Sequence, residues 1–454
     1  MKYLLQNRWQ VREVDDGYKL VYYGLRNWPN NKEQIIPLDE KEASLLKTLD
    51  KSKELTQEDS VMLERFIKQN IVVEESDFRK DSTKEDYKSC VRCVCNDYVI
   101  AGLEFDEDGV CAFCQCYEKE SPENIKSLMT IEEEELVKNI KARNKNAHFD
   151  VMVFFTGGKD STYLVWHLSK NLGLRVLAAF WDMPFTNESS RKNMKKVLEA
   201  LPNVELLQWT LSKEMFEDAI KKQYDTMGVF CLCPVPAYPL FYPIAQMYDI
   251  PYVMWGMEDV QASVIEYIFP APASQKELNE REQTIQILKG RALPGKLQEP
   301  ITWTSEFHNY HTSLQQIFKP LFTPLQKIIK EADEDKTMPI PIIKRLKTKD
   351  SYGSWDSIVD LLEKEVGWEM PSNQKNKLHT SCVIENVKDY TQFLKFKNME
   401  SVFFPQAMVE LSAAVIFGHI SREDALEQMQ ELGFFEAPEM YKQLVKRTTG
   451  KIIE

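Results

Sequence analysis

The spacing of apolar and polar positions divides the chain into stretches of different period. Near the N-terminus, apolar and polar residues alternate around Asp15-Asp16-Gly17, and Tyr18-Lys19-Leu20-Val21-Tyr22-Tyr23 follows the turn, which predicts a β-hairpin. Ile35-Ile36-Pro37-Leu38 leads into Asp39-Glu40-Lys41-Glu42-Ala43-Ser44-Leu45-Leu46, a helix with Asp39 as its N-cap. A second helical period runs from Gln57 to Gln69 and gives way to a short strand at Asn70-Ile71-Val72-Val73. Together these predict a winged-helix-like unit over residues 1–80, and the polar stretch from Glu74 to Lys88 reads as a linker.

Beyond a charged helix, Ile131 to Asn144, the period changes again. Phe149-Asp150-Val151-Met152-Val153-Phe154-Phe155 is a nearly continuous apolar run, the mark of a buried strand, and Tyr163 to Asn171 has helical spacing. Strands follow at Arg175 to Asp182, Val204 to Trp209 and Pro251 to Gly256, with helices at Ser189 to Leu201, Ser212 to Met227 and Tyr238 to Tyr248. This alternation predicts an α/β fold, a doubly wound parallel sheet over residues 145–300 with ligands at the carboxyl ends of its strands. Residues 301–454 read as mainly helical. A helix is expected from Gln275 to Gly290, and Trp303 to Ile329 is aromatic-rich and helical. Pro339, Pro341 and the basic run Lys344 to Lys349 read as a boundary with a solvated surface. Amphipathic helices begin at Trp355 and, capped by Ser421, at Arg422.

Composition narrows the function classes. A net charge of -13 argues against broad electrostatic binding to nucleic acid. No apolar run approaches the roughly 18 residues of a membrane span, and the first residues lack a signal-peptide pattern, so a cytoplasmic protein with no membrane partner is expected. Nine cysteines suit that compartment as metal ligands or free thiols. Cys90-x-x-Cys93 and Cys111-x-x-Cys114, separated by seventeen residues, have the spacing of a four-thiolate zinc site over residues 86–120, with an iron–sulfur cluster as the rival occupant. Leu103 to Val110 is expected to supply a strand and an Asp-Gly turn between the pairs. Cys95 and Cys116 add a third cysteine to each half, so spacing leaves the choice of ligands open.

The richest chemistry lies after the buried strand, in Thr156-Gly157-Gly158-Lys159-Asp160-Ser161-Thr162. Glycines let a backbone fold around an anion, loop amides point inward, and the following helix adds its positive end and two hydroxyls. The loop is too short for a Walker A motif and lacks the third glycine of a dinucleotide fingerprint. Lys159 is expected to project towards phosphates or solvent. At other strand ends, Phe180 and Trp181 are candidates to flank adenine, with Asp182, Asn187 and Asn193 nearby. Gly256 is a candidate for close approach to ATP, and Glu258 for holding Mg²⁺. Taken singly, packing, turns or caps account for each of them except Gly256, and their common place at strand ends strengthens all of them. Cys231 and Cys233, with His379 and Cys382, form a possible second metal or sulfur site, against the plainer reading of packed thiols.

The Thr-Gly-Gly-Lys-Asp-Ser loop resembles the PP-loop of the N-type ATP pyrophosphatases. The two Cys pairs, this loop, Cys231-Leu232-Cys233, Trp255-Gly256-Met257-Glu258, Gly367-Trp368-Glu369-Met370-Pro371, His379-x-x-Cys382 and Ile420 to Ala425 together resemble the N-acetyl sugar amidotransferases. That resemblance implies ATP, Mg²⁺ and Zn²⁺, with Thr156, Gly157, Gly158, Asp160, Ser161 and Thr162 on the pyrophosphate. It also implies adenylation of a carbonyl oxygen, release of AMP and pyrophosphate, and nitrogen supplied by a separate glutaminase. Residues 1–80 resemble the PqqD-like domains that read leader peptides, which the sugar enzymes lack. The expected acceptor is therefore a ribosomally made peptide. A sugar amidotransferase and a PP-loop sulfur transferase are the alternatives, and self-association is left open.

Overall fold

In the computed structural model the described residues are 1–27, 34–119, 130–143, 147–233, 235–256, 261, 278–293, 295–347, 353–372 and 374–452. The chain divides into two compact units. The first comprises Met1–Ser121, Gln298–Glu306 and Gln392–Ser412, and the second Pro122–Leu297, Phe307–Thr391 and Ala413–Glu454.

The first unit begins with β1 (Lys2–Leu5), β2 (Trp9–Val14), β3 (Gly17–Tyr22), β4 (Ile35–Leu38), β5 (Lys53–Glu54) and β6 (Val72–Glu74), arranged as two antiparallel three-stranded sheets in the orders β5-β1-β6 and β2-β3-β4. The hairpin forms where the alternation placed it, with Val14 opposite Gly17 across a two-residue turn. Gly17 has φ +122°, a conformation L side chains rarely adopt, so glycine suits the turn. Asp39 caps helix Glu40–Lys47 in a capping box with Glu42. The expected helix from Gln57 to Gln69 is instead two, Gln57–Met62 and Glu64–Lys68. The chain bends at Leu63, which is fully buried in the core of this winged-helix-like unit beside Leu46, Leu49 and Phe66. The later segments of this unit are tied to it by Arg8. Its buried guanidinium donates to the carbonyls of Tyr23 at 2.7 Å, Phe396 at 2.6 Å and Lys397 at 2.7 Å, and pairs with Asp81 at 3.3 Å. Glu306 accepts from Ser401 and Val402, and burial lifts its carboxyl to about 7.

The expected strand across Leu103 to Val110 does not form. Only isolated bridges, Leu25 to Leu103 and Phe105 to Cys111, occur there. Asp106 accepts from the amides of Asp108 at 3.1 Å and Val110 at 2.8 Å, and this side-chain turn competes with strand pairing.

The second unit is organised on one parallel sheet. Its strands are β7 (Thr130–Glu132), β8 (Val151–Phe154), β9 (Val176–Asp182), β10 (Val204–Thr210), β11 (Tyr252–Trp255) and β12 (Ile342–Lys347), in the order β10-β9-β8-β11-β12-β7. The chain runs outward from β8 through β9 to β10, then returns to the other side of β8 with β11. The order therefore reverses at β8, which creates a crevice at the carboxyl end of that strand. Every residue of β8 is buried. Helix Trp355–Val366 contacts both Lys159–Trp166 and Glu188–Ala200, while Ala237–Met247, Glu280–Ala292 and Lys319–Glu334 contact one another. The fold is thus the expected α/β, doubly wound parallel sheet, followed by a largely helical C-terminal region.

The sheet draws on more of the chain than residues 145–300. The run read as a solvated boundary is β12, and Lys344 and Arg345 in it are buried. Their charged ends are satisfied locally: Lys344 pairs with Glu280 at 3.0 Å, and Arg345 donates to Thr130 at 3.0 Å. Basic residues hid a strand because their stems carry enough apolar surface to enter a sheet while their heads find partners at its edge. The short strand β7 went unanticipated ahead of helix Glu133–Ala142. Among the described residues, no helix is long and apolar enough to cross a membrane.

Candidate functional site

At the carboxyl end of β8 the chain turns through Thr156, Gly157 and Gly158 and enters helix Lys159–Trp166. Gly157 has φ +71°, and a Cβ there would lie 2.4 Å from the carbonyl oxygen of Ser190. Both conformation and space therefore require glycine. Gly158 is the helix N-cap and has no side chain to cap with. A Cβ on it would meet Ser381 Cβ at 3.0 Å and Thr380 Oγ1 at 3.1 Å.

Groups distant in sequence hold the turn. The amide of Lys159 donates to Thr380 Oγ1 at 2.8 Å, and the carbonyl of Gly157 accepts from Trp368 Nε1 at 3.0 Å and Asn193 Nδ2 at 3.3 Å. Asn187 and Ser190 both donate to the Thr380 carbonyl. Within the loop, Ser161 Oγ accepts from the amide of Thr156 at 3.1 Å and lies 3.0 Å from Thr156 Oγ1. Thr162 Oγ1 is buried without a hydrogen-bond partner among the described residues. The result is a helix N-terminus with its positive dipole end, two partnered hydroxyls and one orphaned hydroxyl, at the sheet's switch point. Such an arrangement suits an anionic phosphate chain.

Other candidates divide. Lys159 does not project to solvent: its side chain is fully buried, paired with Asp160, with Nζ 5.2 Å from the centre of the Trp355 ring. A Cβ on Gly256 would lie 2.4 Å from Ser161 Cα and 2.6 Å from Ser161 N, so its missing side chain makes room for the first turn of the loop's own helix. Phe180 and Trp181 are buried within β9, the indole meeting Phe318 edge-on. Asp182 accepts from Arg191 at 2.9 Å. Glu258 lies outside the described residues.

Cys231 and Cys233 are half-buried, and Tyr310 donates to both of their carbonyls at about 3 Å. Cys233 Sγ is 3.7 Å from the sulfur of Met183, the residue after β9. The segment from Thr380 to Cys382 runs beside this point: Cys382 bridges Thr186, and Val383 donates to Phe185. A hydrogen bond from Cys233 draws the Cys231 thiol below the usual range, whereas burial pushes Cys382 up. Glu385, a buried Asp389 and the half-buried His379 complete these surroundings. Burial raises the Asp389 carboxyl to about 7. Among the described residues these side chains do not converge to metal-ligand distance, so the expected second metal site is not assembled.

Cys90, Cys93, Cys111 and Cys114, in the first unit, do converge. All four sulfurs lie within 4.8 Å of one another and are buried. Cys90 to Cys114 is 3.8 Å and Cys93 to Cys111 is 3.6 Å. Thiolates about 2.3 Å from a single tetrahedral ion are about 3.8 Å apart, so the geometry suits one ion. The amides of Arg92, Cys95 and Cys111 donate to these sulfurs, and hydrogen bonds from Cys114 and Cys90 hold the Cys111 thiol down to about 6. Cys95 instead contacts Ser412 Oγ at 3.0 Å, and Cys116 lies outside the four, which resolves the choice that spacing left open.

The sequence assigned no structural role to Thr380, Ser381 or Tyr310, and named Trp368 only as part of a motif. Thr380 and Ser381 sit inside the His379-x-x-Cys382 run, whose metal-ligand residue types lie at its two ends.

No protein-family profile and no curated protein matches the chain. Among solved structures it is similar to a predicted subunit of tRNA methyltransferase from Methanocaldococcus jannaschii (12% identity, covering 56% of this chain and 90% of that one, TM-score 0.24). It is also similar to the U34-tRNA thiolase NcsA from Methanococcus maripaludis, solved with its 4Fe–4S cluster (13% identity, 75% and 88% covered, TM-score 0.26). Likenesses this loose bear on neither activity nor substrate.

Replacing Gly157 with alanine is expected to destabilise the fold by at least about 1–2 kcal/mol, the cost of forcing an L residue into the left-handed region, before the clash with Ser190 is added. Denaturant unfolding of Gly157→Ala against the parent measures it, and equal stability would show that the turn is not constrained as described.

Proposed function

We propose that this chain is an ATP pyrophosphatase of the PP-loop type that adenylates a carbonyl oxygen and then transfers nitrogen to that carbon. The observation that carries this reading is the Gly157-Gly158 turn, held at the switch point of a parallel sheet with a helix N-terminus directly behind it. Amides of the turn and the hydroxyls of Thr156, Ser161 and Thr162 bind the pyrophosphate half of ATP. Asp160 and the loop hydroxyls hold Mg²⁺, which neutralises phosphate charge; the orphaned Thr162 hydroxyl fits that use. The substrate oxygen attacks the α-phosphorus and pyrophosphate leaves. Oxygen bonded to AMP is a far better leaving group than oxide, so a nucleophile then displaces it at carbon, and exclusion of water protects the adenylate.

The acceptor we favour is a ribosomally made peptide. What supports it is β2, an outer strand that pairs only with β3 among the described residues and carries no proline, whereas Pro37 removes a donor from the opposite edge strand β4. A leader peptide adding to β2 would give main-chain affinity. A separate glutaminase would supply ammonia. We assign the four-cysteine group to structural zinc, which the close sulfur spacing supports. A second reading, sulfur transfer, is favoured by Cys231 and Cys233 lying at the carboxyl end of β9.

Incubation with ATP, Mg²⁺ and candidate peptides should release AMP and pyrophosphate, and Asp160→Ala should abolish release while leaving peptide binding intact; ADP as product would refute adenylation. Cys111→Ser should lose one zinc per chain by elemental analysis and be destabilised by several kcal/mol, since binding of structural zinc is worth about 10–16 kcal/mol in small domains. Iron in place of zinc would overturn that assignment. Full activity of both Cys231→Ser and Cys233→Ser would remove the sulfur reading.

A further inference from the structure

The parallel sheet ends differently at its two edges. β7 is three residues long, whereas β10 runs for seven, Val204–Thr210, and among the described residues pairs only with β9. Long edges are usually blunted by a lysine, a proline, a bulge or a covering segment. β10 contains neither lysine nor proline, and it keeps an unbroken one-to-one register with β9 from Val204 to Thr210. Its single charge is Glu205, which His148 contacts at 2.8 Å. At the other end of the strand Gln208, Trp209 and Thr210 are exposed, the indole at 41%. Bonds at both ends of β10 fix which backbone groups face outward. The carbonyl of Asn203 accepts from the amide of Val176, and the amide of Leu211 donates to the carbonyl of Asp182. Alternate residues of a parallel ladder direct both backbone groups to the same neighbour, so Glu205, Leu207 and Trp209 serve β9. The N–H and C=O groups of Leu206, Gln208 and Thr210 therefore point away from the sheet, and none of them is hydrogen-bonded among the described residues. A row of such groups is a template for another strand.

This template is complementary to itself. Leu206, Gln208 and Thr210 are symmetric about Gln208, so a second copy running antiparallel across a two-fold axis there sets Leu206 opposite Thr210 and Gln208 opposite its own mate. Those are the hydrogen-bonded pairs of an antiparallel ladder, and each exchanges an N–H and a C=O. At the intervening, more closely spaced positions Trp209 falls opposite Leu207 of the second copy, once on each side of the axis, and these cross-strand pairs cover the exposed indole. Charge fits the same arrangement. A net charge of -13 makes two copies repel in general. Across this axis, however, the two Glu205 side chains lie about 20 Å apart along the ladder, beyond the screening length of about 8 Å at physiological salt. Each is instead brought towards the end of the other strand that leads to Lys213, whose side chain is 82% exposed. We infer that β10 is the interface of a homodimer, in which two copies of this chain pair antiparallel about Gln208 and join their six-stranded sheets into one. The dimer does not depend on the adenylation reading.

Sedimentation equilibrium of the full chain at micromolar concentration should give the mass of a dimer. Trp209→Glu sets a carboxylate against Leu207 of the second copy and should weaken dimerisation at least tenfold. Gln208→Pro removes an outward N–H that β9 does not use, so it should yield a folded monomer. Oxidation with copper phenanthroline reads the register. Gln208→Cys should be linked into covalent dimers, because Cα atoms directly opposite one another in a hydrogen-bonded pair are about 5.5 Å apart. Glu205→Cys, about 20 Å from its mate, should stay unlinked, as should the parent. A monomeric parent, an unchanged dimer in folded Trp209→Glu, or a dimer in which Glu205→Cys links and Gln208→Cys does not, overturns the inference. If Trp209→Glu fails to fold, the two cysteine variants decide by themselves.

Discussion

A buried strand-to-helix turn without a capping side chain leaves backbone groups to be satisfied, and here they are satisfied from far along the chain. Thr380 takes the Lys159 amide, while Trp368 and Asn193 take the Gly157 carbonyl. Each such bond contributes about 0.5–1.5 kcal/mol net, but leaving a buried group unpaired costs about 1–3 kcal/mol. The shape of the loop therefore depends on the residues from 367 to 382 being in place. The same contacts explain the two glycines, because a side chain at either position would occupy the space that Ser190, Thr380 and Ser381 use.

This dependence has a second effect. Because Thr380 is fixed on the loop, the extended chain beyond it is fixed too, and Cys382 is brought beside the residues that follow β9. Helix Glu385–Lys397 then starts at a defined place, with its acids facing Cys231. One hydrogen-bonded junction thus connects a phosphate-type cradle to a group of thiols and carboxyls that the parallel sheet alone would not have assembled.

Buried charge is handled in two ways. Arg8, Lys344 and Lys159 are buried with partners, and those bonds offset part of the cost of removing them from water. Asp389 is the contrast: without such a partner among the described residues, burial raises its proton affinity instead, to about 7. The four cysteines are a third case: their sulfurs are closer than neutral side chains need to be and are already oriented by backbone donors, as expected of a preformed ligand set.

The sequence by itself determined the elements whose causes are local. The hairpin turn at Gly17, the Asp39 cap, the buried run of β8, the glycine loop and the Cys-x-x-Cys pairs all rest on neighbours within a few residues, so periodicity and spacing disclose them. Where tertiary contacts decide, the sequence was silent or misleading. Lys344 and Arg345 look like surface until Glu280 and Thr130 are seen to receive them, and Leu63 breaks a helix because the core takes its side chain. Cys95 and Cys93 are equivalent in spacing, and only three-dimensional proximity separates ligand from neighbour. Thr380 and Trp368 owe their roles to partners more than two hundred residues away, and no local pattern encodes a hydrogen bond across that distance.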